Sequence, residues 1–452
     1  MKPATATFFG ILAGKNFARL WCGQIISSLG DRFYQFAILY VILGIKQGID
    51  AGRDSAQVTF CAMLPGLVLA PLYGWIVDRF SRRWVMFWSD IARAILTLSL
   101  LYWWFVAQNV FAVFTVIFFM GAFNGLFIPA RQAALPQIVT GRQLVTANAL
   151  ISLIGVIANF IGIPVASLIV SIFGAHSSFY FNALGFLTSA WCVYRIDADL
   201  YPVRAGSVAT GEITTWRGLF GGWNVLREQR ELGALVLVNS AFSFISAMVL
   251  ITILQQIVVT VDLSSVRALA NVLTRFFSMV APKPPIFEIK TLAFGLLMAG
   301  IGLGLGLGVG LCGTSKRLSR SRALPYIGLA LLGLALISFS RLTDYLPAVA
   351  GAAFLGLLSA FILIPIEARL QNDVDDSRRG RLFALRNLCT TASFLIGLAV
   401  NLNGHLLEKI GPAALIQAIG ITAIALAAGL ALLNASTLKS FWSSRRTPNS
   451  PT

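Results

Sequence analysis

Asp31 and Arg32 are adjacent ionisable residues about ten positions into an apolar run, with Ser27 and Gln24 one and two helical turns before the acid on a similar face. Ionisable groups at that depth in lipid cost about 2.5–3.5 kcal/mol each on insertion scales unless they meet a cavity or a partner. The carboxylate suits a proton, a small cation or a substrate ammonium, and the guanidinium suits a phosphate. The plainer alternative is an ion network that locks a helix bundle. Neighbouring helical side chains point about 100° apart, so the two do not pair with one another and each needs a partner elsewhere. A second group is the knot YGWIVDRFSRRWVMFWSD, Tyr73–Asp90, where Gly74, Asp78, Arg79, Arg82 and Arg83 fall between two apolar runs. A third is Glu367, two residues before Arg369 in the string IPIEARLQ. No nucleophile, base or metal-ligand constellation accompanies them. Cys22, Cys61, Cys192, Cys312 and Cys389 show no CxxC spacing, and His176 and His405 are far apart. Neither an enzyme nor a cofactor or metal is expected.

The elements that must position these residues follow from composition. The chain has 452 residues, 57% of them hydrophobic and 12% charged. A soluble domain carries about 25% charged residues, so a chain this poor in charge must meet lipid over most of its surface. Twelve runs are long and apolar enough to be spans: 21–45, 56–77, 84–106, 109–130, 146–172, 177–195, 233–258, 291–312, 323–340, 346–367, 384–402 and 413–434. The run GIGLGLGLGVGLCG from Gly300 has neither the GK[ST] ending nor the preceding strand of a phosphate loop, and reads as a surface for close helix packing.

The net charge of +17 would suit nucleic acid, but the basic residues come in short bursts between apolar runs. With both termini placed inside, roughly 26 of the 35 basic residues fall in inside loops, as the positive-inside rule requires. The expected organisation is an N-terminal six-helix bundle over 1–195, a cytoplasmic linker over 196–232, a C-terminal six-helix bundle over 233–434 and a basic cytoplasmic tail over 435–452. In the long outside loop, 259–290, Leu263, Val266, Ala270, Leu273 and Phe277 share one face of a short amphipathic helix that the prolines of PKPP would end.

The halves repeat. IPARQAALPQ from Ile128 matches IPIEARLQND from Ile364, ANAL at Ala147 matches ALRNL at Ala384, and NFIG ending at Gly162 matches FLIG ending at Gly397. Gly74 with DRFSRR has a degraded partner in Gly310 with KRLSRS. The shifts are all about 235–238 and in the same order, the pattern of two bundles related by an axis along the membrane normal.

The knot reads G-x-x-x-D-R-x-S-R-R and resembles the signature G-x-x-x-D-R/K-x-G-R-R/K of the major facilitator superfamily, with Ser81 where that family usually has Gly. The resemblance implies an all-α membrane protein with twelve transmembrane helices in two pseudo-symmetric six-helix bundles, a secondary transporter working by alternating access. It makes Gly74, Asp78, Arg79, Arg82 and Arg83 a cytoplasmic gate. Asp78 would cap or pair with the other bundle near 381–387, and the arginines would meet acids or helix C-termini. For Arg82 and Arg83, plain positive-inside topology explains the residues equally well.

Further strings resemble the branch that holds bacterial lysophospholipid transporters, with siderophore and drug exporters nearby. Q-x-x-S-x-x-G-D matches Gln24, Ser27, Gly30 and Asp31; P-A-R…L-V-x-A-N-x-L matches from Pro129 to Leu150; P-x-x-A-x-L-Q matches Pro365, Ala368, Leu370 and Gln371. Glu367 and Arg369 depart from that branch, which often has Asn and an apolar residue there. The resemblance implies transport of lysophospholipid across a bacterial inner membrane. Export of amphiphilic drugs or siderophores, and a receptor that binds without transporting, are the alternatives. Asp31, Arg32, Gln24, Ser27 and Glu367 become the expected substrate- or ion-binding residues. The expected partners are membrane lipids, a small amphiphilic substrate and a coupling proton or sodium ion, with no nucleic acid, for a monomer in the inner membrane with both termini cytoplasmic.

Overall fold

The computed structural model describes residues 8–45, 49–140, 143–162, 165–166, 169–170, 173–198, 200–201, 222–259, 261–278, 289–319, 321–374, 376–402 and 405–433. Each predicted span is helical over nearly all of its described length. The long helices are α1 (Lys15–Ile45), α2 (Ile49–Val68), α3 (Ala70–Arg79), α4 (Arg82–Leu101), α5 (Val110–Ile138), α6 (Leu144–Ile157) and α7 (Ala175–Tyr194). They continue with α8 (Arg230–Val259), α9 (Ser264–Ser278), α10 (Ile289–Thr314), α11 (Leu324–Phe339), α12 (Tyr345–Asn372), α13 (Asp376–Leu402) and α14 (His405–Leu433). Among the described residues, seven helices are long and apolar enough to cross a membrane, or eight when α2 and α3 count as one bent span. At 31 and 20 residues, α1 and α7 have the length, but they spend several positions on polar side chains. Residues 202–221 of the predicted linker and the tail 435–452 lie outside the described residues.

Local chemistry accounts for the breaks. The α2–α3 pair bends by 56° at Leu69. Pro71 opens α3, and its ring and missing N–H forbid a straight continuation from the turn before. The Tyr73 hydroxyl donates to the Pro65 carbonyl across the bend, at 3.1 Å. In α14, Gly411 adopts φ 75°, which its lack of a Cβ allows, and Pro412 restarts the helix. Asn109 caps α5 by accepting from the Ala112 amide at 3.1 Å.

The chain divides into two compact units, Met1–Lys46 with Val58–Thr215 and Val266–Ala299, and Gln47–Gln57 with Trp216–Ser265 and Gly300–Thr452. Each has the same internal register. In the first unit, a Cβ on Gly121 would lie 2.0 Å from the Ala62 carbonyl oxygen, so α5 and α2 touch backbone to backbone. In the second, Gly356, 235 positions later, makes the equivalent approach of α12 to the Ile301 carbonyl of α10, also at 2.0 Å. Tyr73 packs on Gly125 as Gly308 packs on Ala360, and Arg93 lies over Phe127 as Gly328 lies against Ile362. All of these matches are 235 apart except Ala62 and Ile301, which are about one helical turn out of that register. The repeat seen in short strings is therefore a repeat of packing, and the glycine run on α10 does serve close helix contact at Gly304 and Gly308.

The helix α9 forms where the amphipathic pattern placed it. Val266 and Ala270 are buried, while Leu269 and Val272 are exposed; the side chains of Leu273 and Phe277 lie outside the described residues.

Candidate functional site

The first unit buries a polar assembly among apolar helices. Asp90 and Arg93 lie three residues apart on one face of α4 and form an ion pair; they are 0% and 3% exposed. Two charges in so dry a place are costly unless every contact is good. Arg93 also donates to Asn124 of α5 at 3.2 Å, and its guanidinium lies 4.3 Å from the Phe186 ring centroid and 5.0 Å from that of Phe127. Those aromatic faces attract the cation. Thr97, one turn on, returns its hydroxyl to the Arg93 carbonyl and accepts from Asn182 of α7 at 3.5 Å. Asn182 lies against Gly30, where a Cβ would come 2.8 Å from the Asn182 side-chain oxygen. Only a residue without a side chain lets α1 come this near, and the next residue is Asp31. The positive charges facing the Asp31 carboxylate are Arg93 and Arg32.

The predicted residues of α1 divide into three roles. Gln24, 5% exposed, joins two helices: it accepts from Arg131 of α5 at 2.8 Å and donates to Ser189 of α7 at 3.3 Å. Ser27, 3% exposed, is sealed where α1 meets Gly185 of α7. Arg32 packs its stem on Gly162 and donates to Gln35 on the next turn at 2.7 Å. Beside Gln24 opens a cavity of about 340 Å³ between α1, α5 and α6. Ser28, Arg131, Gln132 and Asn148 make its polar wall, and Leu135, Ile151 and Ile154 its apolar wall.

Glu367 lies in the second unit, in an ion pair with Arg386 of α13, and Arg386 in turn donates to Asn387 at 2.8 Å. Arg369 does not turn to Glu367. It bonds Glu231 at 2.8 Å and Asp373 at 3.1 Å, and Glu231 also takes Arg322 at 3.2 Å. The two charges that depart from the lipid-transporter pattern therefore have separate partners, in a web tying the start of α8 to the end of α12.

The signature turn is an arginine clamp. Asp78 and Arg79 are exposed at the end of α3, with half-buried Gly74 one turn earlier. Arg79 lies over Trp75. Ser81, where the family usually has Gly, adopts φ −58° and ψ 122°, a conformation open to any residue. The missing glycine therefore costs this turn nothing. Arg82 donates to the Ala133 carbonyl near the end of α5 at 3.0 Å, and Arg83 to the carbonyl of Tyr194, the last residue of α7. Arg19 takes the next carbonyl, that of Arg195, and pairs with Asp197 at 2.6 Å. Helix C-termini leave carbonyls such as those of Tyr194 and Arg195 orphaned and electronegative, while that of Ala133 lies one turn inside the end of α5. The arginines do meet helix ends, and those ends belong to their own unit. Arg19 also holds the exposed Asp197 carboxyl below its ordinary titration range by a direct hydrogen bond.

Asp90 and Arg93 are not among the site residues expected from the sequence. The signal was present: an acid and a base at i and i+3 inside an apolar helix share a face. Asn124 and Asn182 join helices by hydrogen bonds to Arg93 and Thr97.

A bundle of long apolar helices with a buried polar core and a charged turn between its second and third spans defines a multi-pass membrane transporter. The family model described as the Major Facilitator Superfamily matches residues 20–398, and the chain belongs to that family. The uncharacterized MFS-type transporter YfiS of Bacillus subtilis (strain 168) is 25% identical over 403 residues, 88% of each chain. Macrolide efflux protein A of Streptococcus pyogenes is 24% identical over 234 residues, 51% of this chain and 56% of its own length. Among solved structures, the nucleoside transporter NupG superposes with a TM-score of 0.63 at 14% identity, over 93% of this chain and 99% of its own. A bacterial homologue of the iron transporter ferroportin gives 0.60 at 15%, over 92% and 98%. These two likenesses bear on the fold alone.

Proposed function

We propose that the protein is a secondary transporter that exports small amphiphilic molecules, driven by a proton or sodium ion bound at Asp31. The observation that carries this reading is the assembly of half-buried Asp31 with the buried Arg93 and Asp90 in the first unit. An acid facing a fixed cation, with no ion-pair partner of its own among the described residues, suits reversible binding of a coupling ion. The repeat positions of Asp90 and Arg93 in the second unit hold Pro325 and Gly328, so this chemistry has no counterpart there. Two relatives favour export: macrolide efflux protein A, and a protein of Bacillus subtilis (strain 168) named provisionally as a bacilysin exporter, 25% identical over 195 residues and 47% of its own length. Lysophospholipid, the substrate expected first, finds no support in the names of these relatives and serves as the contrasting arm of the test. Proteoliposomes loaded in turn with a short-chain anionic amphiphile, a dipeptide and a lysophospholipid, under an imposed proton or sodium gradient, are expected to release the anionic amphiphile or the dipeptide. Movement of the lysophospholipid alone would restore the lipid reading.

With export goes an inner-membrane location with both termini cytoplasmic, supported by the basic bias of the loops. In a cysteine-free background, a membrane-impermeant maleimide added outside should label a cysteine at 285 and leave cysteines at 207 and 445 untouched. Labelling at 207 would reverse the topology. Gly74, Asp78, Arg79, Arg82 and Arg83 then form the cytoplasmic gate. Because Arg82 and Arg83 hold backbone carbonyls of their own unit and Arg79 stacks on Trp75, Asp78 is the exposed member left to act. Asp78→Asn is expected to lower flux about tenfold or more at unchanged folded yield, a scale set by one charge-assisted hydrogen bond. Unchanged flux per folded molecule would remove Asp78 from the gate.

A further inference from the structure

We propose that the cavity between α1, α5 and α6 is a binding subsite for the anionic head and short apolar tail of an amphiphile, the head being a carboxylate or phosphate held by Arg131. The proposal rests on the export reading above and names a substrate class for it. The volume, about 340 Å³, lies within the range of small-ligand sites, about 300–1,000 Å³. Its lining is divided: Ser28, Gln132 and Asn148 gather with Arg131 on one side, and Leu135, Ile151 and Ile154 form the other.

Arg131 is the only charged residue among those lining it. No acid pairs with it among the described residues. Its one recorded bond goes to the neutral Gln24, and Gln24 is held in place by Ser189. The guanidinium nitrogen Nε is buried and has no hydrogen-bond partner. A guanidinium carries five donors in a planar fork that matches two oxygens of one anion. A half-buried cation with an idle donor, a neutral residue fixing its orientation and an apolar wall opposite fits an anionic amphiphile and disfavours a cationic one.

Gly155 supplies an independent handle. It lines the cavity, and a Cβ built there would meet nothing within 4 Å. A side chain at 155 therefore starts from open space on the cavity wall.

The test is calorimetric titration of the full-length protein in nanodiscs of zwitterionic lipid, with empty nanodiscs subtracted. The probes are octyl phosphate, inorganic phosphate and octyltrimethylammonium. Saturable binding of octyl phosphate is expected, with inorganic phosphate much weaker and the cation not bound. Arg131→Gln should weaken octyl phosphate about tenfold or more, the scale of a hydrogen bond to a charged group. Gly155→Phe should abolish binding at an unchanged melting temperature. Equal affinity in either variant, binding of the cation, or inorganic phosphate binding as tightly as octyl phosphate would overturn the proposal. Flux separates this subsite from the export reading. Octyl phosphate binding of the expected kind with no amphiphile carried in proteoliposomes would sink export and leave the subsite. Amphiphile export at equal rate in the wild type, Arg131→Gln and Gly155→Phe would sink the subsite and leave export.

Discussion

Arg93→Ala is expected to be the most destabilising single substitution in the first unit, with a sharp fall in folded yield and melting temperature. The substitution leaves the Asp90 carboxylate buried and uncompensated, empties the space between the Phe127 and Phe186 rings, and strips Asn124 of its donor. Breaking a buried ion pair by removing one partner costs about 3–5 kcal/mol. Asp90→Leu combined with Arg93→Met should recover most of that loss, because replacing both members with apolar groups removes two desolvation costs together. The rescue should be structural only. The double variant takes Arg93 away from Asp31 and leaves it only the neighbouring Arg32, so its flux should stay low although it folds. If Arg93→Ala melts as the wild type does, the pair is not the buried lock described above. If the double variant transports normally, the pair is dispensable to function.

Much of the fold was legible because lipid leaves a chain few choices. All backbone polar groups must be satisfied within the segment, so an apolar run of about 20 residues becomes a helix. The duplicated strings were equally legible, and the 235-residue register of Gly121 and Gly356 is their packing counterpart. The bend at Leu69 was also within reach of the sequence, since Pro71 sits inside an apolar run. The partners of the charged residues were not. That Arg82 and Arg83 would take the carbonyls of Ala133 and Tyr194 depends on where α5 and α7 end in space, and no spacing along the chain encodes it. Glu367 looked like a binding residue because it breaks a family pattern, yet its partner Arg386 lies 19 positions away on another helix. The cavity beside Arg131 was invisible for the same reason: it is space left between three helices.

Asp31→Asn should leave the protein folded and take away its response to the driving ion. The substitution keeps the shape of the side chain. Among the described residues of the first unit, nothing bonds Asp31 as Arg93 bonds Asp90, so the cost in stability should be small beside that of Arg93→Ala. The charge, however, is what a coupling proton or sodium ion would neutralise, and Arg93 and Arg32 are what it faces. Flux under a gradient should therefore fall about tenfold or more toward the ungraded level, while exchange of substrate across the membrane without a gradient persists. An interfacial or structural acid would behave in the opposite way, with lower stability and normal coupling.

The direct test is flux per folded molecule for wild type and Asp31→Asn in the same proteoliposome preparation, with and without an imposed proton or sodium gradient, and with melting temperatures on the same samples. The account predicts gradient-driven export of an amphiphile by the wild type, and a variant of near-normal melting temperature that the gradient no longer accelerates. A variant that melts lower and is still driven by the gradient to the wild-type rate would contradict it.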